Sequence, residues 1–293
     1  MENSSSTIRV LSFNLRMAPA ERQTSHAWPL RRDVCRDVIS GGGFDFVGTQ
    51  EAWFSPEEPD VDQAGDLSRS LPEYGMFGTS RDADPARGEG TPVFYRKDRW
   101  ELDASANGVL WLSDTPEVRA SRLADATHSR MLVWGRFHEL SGGRRTGRTV
   151  LFSNTHLDYL FEHTAFLQAA ICDRLLAGRV RPGEPVILTG DFNMYEGSWP
   201  VRYLLGEKLP TSPTVPDAPL PLREAWRALH PGEPDARTFQ GWCERGTEDR
   251  RIDYVFFGGG LRPLAARIDS ERRGGVLPSD HYPLAAEFAL QSF

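Results

Sequence analysis

Val186-Ile187-Leu188-Thr189-Gly190-Asp191-Phe192-Asn193 is the stretch on which the reading of this chain turns. Val186 to Thr189 is a short apolar run with β-branched members, which suits a buried strand, and Gly190 is expected to break it. Just beyond stand a carboxylate and an amide, Asp191 and Asn193. Five other stretches repeat the design of a strand beside polar donors. They are Leu11-Ser12-Phe13-Asn14, Val47-Gly48-Thr49-Gln50-Glu51, Ser153-Asn154-Thr155-His156, Ile252-Asp253-Tyr254, and Ser279-Asp280-His281 before the last strand. A lone polar residue at a strand end is ordinarily a cap. Six such ends in one chain point to a site, because sites are built on loops that a rigid scaffold positions.

Around these stretches the pattern alternates strands with two clear helices. Strands are expected at Ile8 to Asn14, Asp45 to Thr49, Pro92 to Tyr95, within Trp100 to Leu112, at Ile252 to Phe257 and at Leu284 to Leu290. Met131 to Leu140 and Thr149 to Thr155 read as a hairpin around Ser141-Gly142-Gly143. Leu30 to Ser40 has helical spacing and is stopped by Gly41-Gly42-Gly43, and Ala165 to Leu176 carries an apolar stripe. Residues 55–70 are an acidic loop leading into a short helix, and 207–221 a Pro-rich surface loop. Residues 1–7 are expected to be a disordered tail and 8–293 a single domain. Many strands, few helices and polar strand ends fit two packed sheets with helices outside, an α/β (α+β) architecture.

The chain has 293 residues, 39% hydrophobic and 26% charged, which is ordinary for a soluble globular protein. No apolar run approaches the roughly 20 residues that span a bilayer, and the polar start lacks a signal-peptide core. Three cysteines without a close pair suit reduced thiols, so a cytoplasmic location is expected. A net charge of −7 argues mildly against a long polyanion as partner.

The donor set points to hard-metal chemistry. Mg²⁺ prefers oxygen ligands, with one or two protein carboxylates beside water and substrate phosphate. Glu51, Asp191, Asn193 and Asp280 suit it. His156 and His281 can supply positive charge or move protons near neutral pH. Asp253 can orient His281 and hold its tautomer. No Cys or His pair stands at zinc-ligand spacing. The Gly-x-Ser-x-Gly elbow is absent, as are the Gly-rich phosphate loops of the common nucleotide-binding folds.

The ordered motifs Ser12-Phe13-Asn14, Thr49-Gln50-Glu51, Glu89-Gly90-Thr91-Pro92-Val93-Phe94-Tyr95-Arg96, Asn154-Thr155-His156-Leu157-Asp158, Gly190-Asp191-Phe192-Asn193, Arg251-Ile252-Asp253-Tyr254-Val255-Phe256 and Ser279-Asp280-His281-Tyr282-Pro283-Leu284 resemble the endonuclease/exonuclease/phosphatase (DNase I-like) superfamily. The resemblance runs from Arg9 to Phe288. It implies a four-layer α/β/β/α sandwich of two mostly antiparallel sheets with outer helices. It also implies Mg²⁺ dependence, with Mn²⁺ able to substitute. Carried over by motif, Glu51 is the main metal ligand, with Asn14, Asp191 and Asn193 at the metal, and Asp280 either binds the metal or orients its neighbour His281. Asp191 and Asn193 hold the attacking water and the phosphate, and His156 faces the scissile phosphate. Glu89 matches an acidic position that pairs with this His in some members. Asp253 and His281 form an Asp–His pair, and either His281 or Asp191 serves as base.

Trp28-Pro29-Leu30-Arg31-Arg32, Trp111-Leu112-Ser113-Asp114-Thr115-Pro116 and Ser129-Arg130-Met131 resemble a bacterial, functionally diverse branch of that superfamily. The expected function is hydrolysis of a phosphate mono- or diester in a small nucleotide, sugar or headgroup phosphate, by a monomeric protein. The alternative is a nuclease on DNA or RNA, and a third reading is a non-catalytic binder of phosphorylated ligands. Asn14, Glu89, Arg130 and His128 are candidate substrate contacts. Arg31 and Arg32 are read as solvated helix-start charges, with phosphate binding as the alternative. Glu57, Glu58, Asp60 and Asp62 are read as a solvated acidic loop. Trp199, Trp226 and Trp242 are possible stacking residues with no role assigned.

Overall fold

The computed structural model describes residues 7–207, 209, 216–220, 222–234, 236–243 and 251–290. Among them run fourteen strands: β1 (Thr7–Asn14), β2 (Phe46–Gln50), β3 (Ala52–Phe54), β4 (Tyr74–Phe77), β5 (Gly88–Gly90), β6 (Val93–Arg96), β7 (Trp100–Trp111), β8 (Met131–Ser141), β9 (Arg144–His156), β10 (Val186–Asp191), β11 (Arg223–Glu224), β12 (Asp253–Gly258), β13 (Leu261–Ile268) and β14 (Leu284–Leu290). Five α-helices accompany them: α1 (Trp28–Gly42), α2 (Gln63–Ser70), α3 (Glu162–Ala177), α4 (Trp199–Leu204) and α5 (Ala225–Leu229).

One six-stranded sheet has the order β13-β14-β1-β2-β6-β4 and the other β11-β12-β10-β9-β8-β7, while β3 and β5 form a separate ribbon. Each large sheet contains one parallel pair, β1–β2 and β9–β10, and its other pairings are antiparallel. A parallel pair needs a long crossover; here α1 and α3 supply it.

Alternation along each strand sorts its side chains onto two faces. Val10 and Phe46 pack with Phe152, Ile187 and Phe257 in a core between the sheets. Their neighbours Leu11 and Val47 turn outward onto Cys35, Val38 and Ile39 of α1. On the other sheet Leu151, Leu188 and Phe256 turn outward onto Phe166 and Ile171 of α3 and Tyr203 of α4. The layers run helix, sheet, sheet, helix, the sandwich that the motif resemblance implies.

The inward rows change chemistry toward one end. Val10 is followed by Ser12 and Asn14, Phe46 by Gly48 and Gln50, Phe152 by Asn154 and His156, and Ile187 by Thr189 and Asp191. β12 runs antiparallel to β10, which places Asp253 opposite Asp191. Asn154 ties the two sheets together there. Its amide donates to the carbonyls of Thr49 (2.7 Å) and Thr91 (3.1 Å), and its oxygen accepts from Gln50 Nε2 (2.7 Å) and Thr189 Oγ1 (3.0 Å). Gly48 permits this approach, since a Cβ there would collide with Thr189 Oγ1 and Asn154 Oδ1.

Several expected boundaries are redrawn. Thr7, assigned to a disordered tail, already pairs with Ala289, and residues 1–6 lie outside the described residues. Gly190 does not break β10 but stays in the ladder between Thr155 and Tyr254. It must be glycine because a Cβ would stand 2.6 Å from the Thr155 carbonyl oxygen. The hairpin forms at Gly142 and Gly143 (φ 56° and 74°), but its second strand starts at Arg144 rather than Thr149. That solvent-facing extension is polar and carries no apolar period. The ribbon, β4 and β13 were not anticipated; Gly88-Glu89-Gly90 offers no strand pattern at all. Asp62 is not solvated: it is buried, caps α2 by accepting from Gly65 N, and accepts from Ser55 N at 3.2 Å. Much of the Pro-rich 207–221 segment lies outside the described residues.

Helix α3 buries a carboxyl away from the polar end. Asp173 Oδ2 accepts one long hydrogen bond from Leu220 N (3.5 Å), and Oδ1 has no partner among the described residues. Burial raises its pKa to about 7. Since the unfolded value is about 3.9, the folded state holds the extra proton between these values, and stability falls as pH rises from about 4 to about 7. Asp173→Asn is therefore expected to raise Tm at pH 8, by about 2–4 °C per kcal/mol recovered, and to bring no such gain at pH 4. Equal shifts in thermal melts at both pH values would refute this.

Candidate active site

Strand ends deliver the side chains. Asn14 closes β1, Glu51 follows β2, His156 closes β9, Asp191 closes β10 and Asp253 opens β12. The Asn14 amide donates to Glu51 Oε1 (3.1 Å) and to Asp191 Oδ2 (2.8 Å), so one residue bridges carboxylates from opposite sheets. Ligand atoms of Glu51, Asp191 and His281 all lie within 4.8 Å of one another, and all three residues are buried. Carboxylates this close repel, and burial removes the water that would screen them. A hard divalent cation relieves that repulsion, and oxygen donors are what it prefers. The donor set therefore fits such an ion.

Two of these residues hold left-handed backbone, Glu51 at φ 56° and Asn193 at φ 54°. Non-glycine residues adopt that region at a cost and keep it where surroundings over-determine it. Glu51 is held by Asn14 and by Met17 N, which donates to Oε2 at 2.9 Å. Asn193 donates its own N–H to Asp191 Oδ1 (2.8 Å) and its amide to the Leu157 carbonyl (3.0 Å).

Two imidazoles flank Asp191. His281 Nε2 lies 3.8 Å from Asp191 Oδ2, and its Nδ1 lies 2.9 Å from Asp253 Oδ2. Burial works against its charge, but Asp253, Asp191 and Asp280 outweigh burial and raise its pKa to about 10. His156 Nε2 lies 3.6 Å from Asp191 Oδ2 and 2.9 Å from the Asn193 amide nitrogen. That amide also donates to the Leu157 carbonyl and so holds the ring from its Nε2 side. Nδ1 faces Glu89 Oε1 at 3.4 Å. Burial favours neutral Glu89, yet Arg81 at 2.7 Å, His156, and Arg130 at 3.5 Å hold its carboxyl far below the usual range. The β3–β5 ribbon pairs Trp53 with Glu89 and so brings this group beside Glu51.

Above these groups opens a cleft of about 460 Å³. Of the expected residues, Glu51, Glu89, His128, Arg130, His156, Asn193, Asp280 and His281 line it, while Asn14, Asp191 and Asp253 lie beneath. Asp280 stands outside the 4.8 Å trio. It accepts from Ser279 Oγ and faces Arg16 Nε at 3.6 Å, and burial raises its pKa to about 6. Arg130 is buried, and its Nε has no partner among the described residues.

Sequence reasoning missed Arg16, Tyr159 and Tyr195, which also line the cleft, and Arg81, which holds Glu89. Arg31 was read as solvated, and this is corrected. It is buried and donates to the carbonyls of Leu15, Arg16 (2.5 Å), His26 (2.8 Å) and Pro278 (3.0 Å). It thus ties the loop after Asn14 to the loop before Asp280. Trp242 stacks on His26 and Trp226 on His230 rather than standing free.

The sequence matches the endonuclease/exonuclease/phosphatase family over residues 11–281. The chain belongs to that family. Its members are metal-dependent hydrolases of phosphoester bonds. Among solved structures, a family protein from Bacteroides vulgatus is 25% identical, with a TM-score of 0.82, covering 98% of this chain and 100% of its own. A family protein from Bacteroides thetaiotaomicron is also 25% identical, with a TM-score of 0.79 over 98% and 99% of the two chains. A mannosyl-6-phosphatase from the same organism is 26% identical, with a TM-score of 0.78 over 96% and 99%. No match is found among curated proteins.

Removing the Arg31 guanidinium strands buried carbonyls from two site loops, and each costs about 1–3 kcal/mol. Arg31→Leu is expected to destabilise the fold by at least about 3 kcal/mol in urea unfolding. A loss below about 1 kcal/mol would show that the carbonyls find other donors.

Proposed function

We propose that this protein hydrolyses a phosphate ester of a small phosphorylated molecule with Mg²⁺, for which Mn²⁺ substitutes. The observation that carries the reading is the convergence of Glu51, Asp191 and His281 from separate parts of the chain at the base of one cleft. Glu51 is the principal metal ligand, with Asn14, Asp191, Asn193 and Asp280 around the ion. When bound, the ion neutralises charge on the phosphoryl oxygens and the leaving oxygen.

The chain's own groups do the rest. Asp191 and Asn193 orient the attacking water, and Asp191 takes its proton. His281, oriented by its contact with Asp253, stands beside Asp191 where it can supply positive charge to the phosphoryl group. His156 faces the phosphate from beside Asp191, with Glu89 behind its Nδ1 orienting the ring. Arg130 and His128 on the cleft wall contact the phosphate or its substituent, and an Arg suits phosphate oxygens geometrically.

The cleft volume suits a small ligand, and the similarity to a mannosyl-6-phosphatase favours an organic monophosphate. The free, buried thiols of Cys35 and Cys172 favour a reducing, cytoplasmic setting. No helix among the described residues is long and apolar enough to cross a membrane.

Released phosphate should require Mg²⁺ or Mn²⁺ and vanish with a chelator. Asp191→Ala and His281→Ala should each lose at least about 100-fold in kcat while keeping the wild-type circular dichroism spectrum. Retained activity in both variants would remove these residues from the chemistry. Activity confined to DNA or RNA, falling steeply with salt, would instead establish a nuclease.

A further inference from the structure

Tyr159, Leu160, Phe161, Tyr195 and Trp199 are five of the eight exposed large hydrophobic side chains among the described residues. Tyr159 and Tyr195 line the cleft itself, at 53% and 46% exposure. Scattered apolar side chains on a surface are normal, but two half-exposed aromatic rings in the wall of one polar cleft point to a binding surface.

Both tyrosines stand on turns that the protein has fixed. Tyr159 follows Asp158, which is fully buried. The Asp158 carboxylate accepts from Thr127 N (2.7 Å), Thr127 Oγ1 (2.6 Å) and Leu160 N (3.1 Å), and its own N–H donates to Gln168 Oε1 (2.7 Å). The Tyr159 ring is flanked by His128, centroids 6.2 Å apart. The Tyr195 carbonyl accepts from Ser198 N (3.0 Å) and Ser198 Oγ (2.6 Å), and the Met194 carbonyl before it accepts from Tyr254 OH (2.9 Å). Tyr159 lies three residues after His156, and Tyr195 two after Asn193. The two rings therefore rise from the same loops as the phosphate-facing groups.

A tyrosine offers a flat apolar face and a polar tip at little conformational cost. Two of them, sharing one cleft with His128 and Arg130, match a compact ring that has apolar faces and polar edges. They do not match an unbranched chain, which gains little from a flat face. We propose that Tyr159 and Tyr195 are specificity-determining residues that hold the ring of the leaving group, so that the cleft takes ring-bearing organic phosphates. Sugar phosphates and nucleoside monophosphates both carry such a ring. This inference rests on the phosphoesterase reading above.

The test compares kcat/KM for three esters: a hexose 6-phosphate, a nucleoside 5′-monophosphate and glycerol 3-phosphate. The ratio of the preferred ring ester to glycerol 3-phosphate should fall about tenfold in Tyr159→Ser and Tyr195→Ser, chiefly through KM. Tyr→Phe at either position should restore it, because the ring face remains. Which ring ester loses more identifies sugar or base. A ratio unchanged within twofold in both Ser variants, or a wild-type enzyme that prefers glycerol 3-phosphate, overturns the tyrosine assignment and leaves the phosphoesterase reading intact. Failure of the wild type to release phosphate from any ester overturns both.

Discussion

The Asn14 side chain holds together two groups that repel. Glu51 comes from one sheet and Asp191 from the other, and a single amide donates to both. The arrangement survives because neither carboxylate is free to leave. Glu51 is further fixed through Met17 N, and Asp191 through the Asn193 backbone. The favourable energy of the inter-sheet core maintains an electrostatically unfavourable cluster, and the cluster in turn gives a cation somewhere to bind. Stability given up at a site is commonly what makes the site useful.

Beneath the cluster the sandwich changes from oil to hydrogen bonds over two residues of each strand. Asn154 is the hinge of that change. It satisfies two carbonyls and receives two donors, one from each sheet, so it pins the polar layer at its centre. Satisfied buried networks specify one geometry, whereas partly satisfied ones admit several. The carboxylates above therefore inherit their spacing from a layer that has little freedom to rearrange.

What could be read in advance divides along physical lines. Asn14, His156, Asp191 and Asp253 were legible because each ends or opens a short apolar run, and a period of two tells which way it faces; Glu51 was legible as the carboxylate just past β2, but it falls off that period and stands where its left-handed backbone puts it. His281 and Asp280 were legible through their motif before the last strand. Arg31 was not, because an arginine in a first helical turn looks the same whether it meets solvent or four carbonyls. Arg81 was hidden because its partner Glu89 lies across a ribbon of glycines with no strand signature. Tyr159 and Tyr195 were hidden because exposed aromatics carry no period. Gly190 was misread because glycine signals both a break and a close approach, and only the neighbouring Thr155 carbonyl distinguishes them.

The turn at Gly142-Gly143 offers a practical opening. It begins β9, the strand whose last residue is His156, thirteen positions after Gly143. At about 3.3 Å per residue, that puts the turn about 40 Å from the imidazole along the strand. Nothing lies within 4 Å of where either glycine's side chain would grow. A surface linker or a reporter attached at that tip would face away from the cleft and leave the tyrosine rim unobstructed.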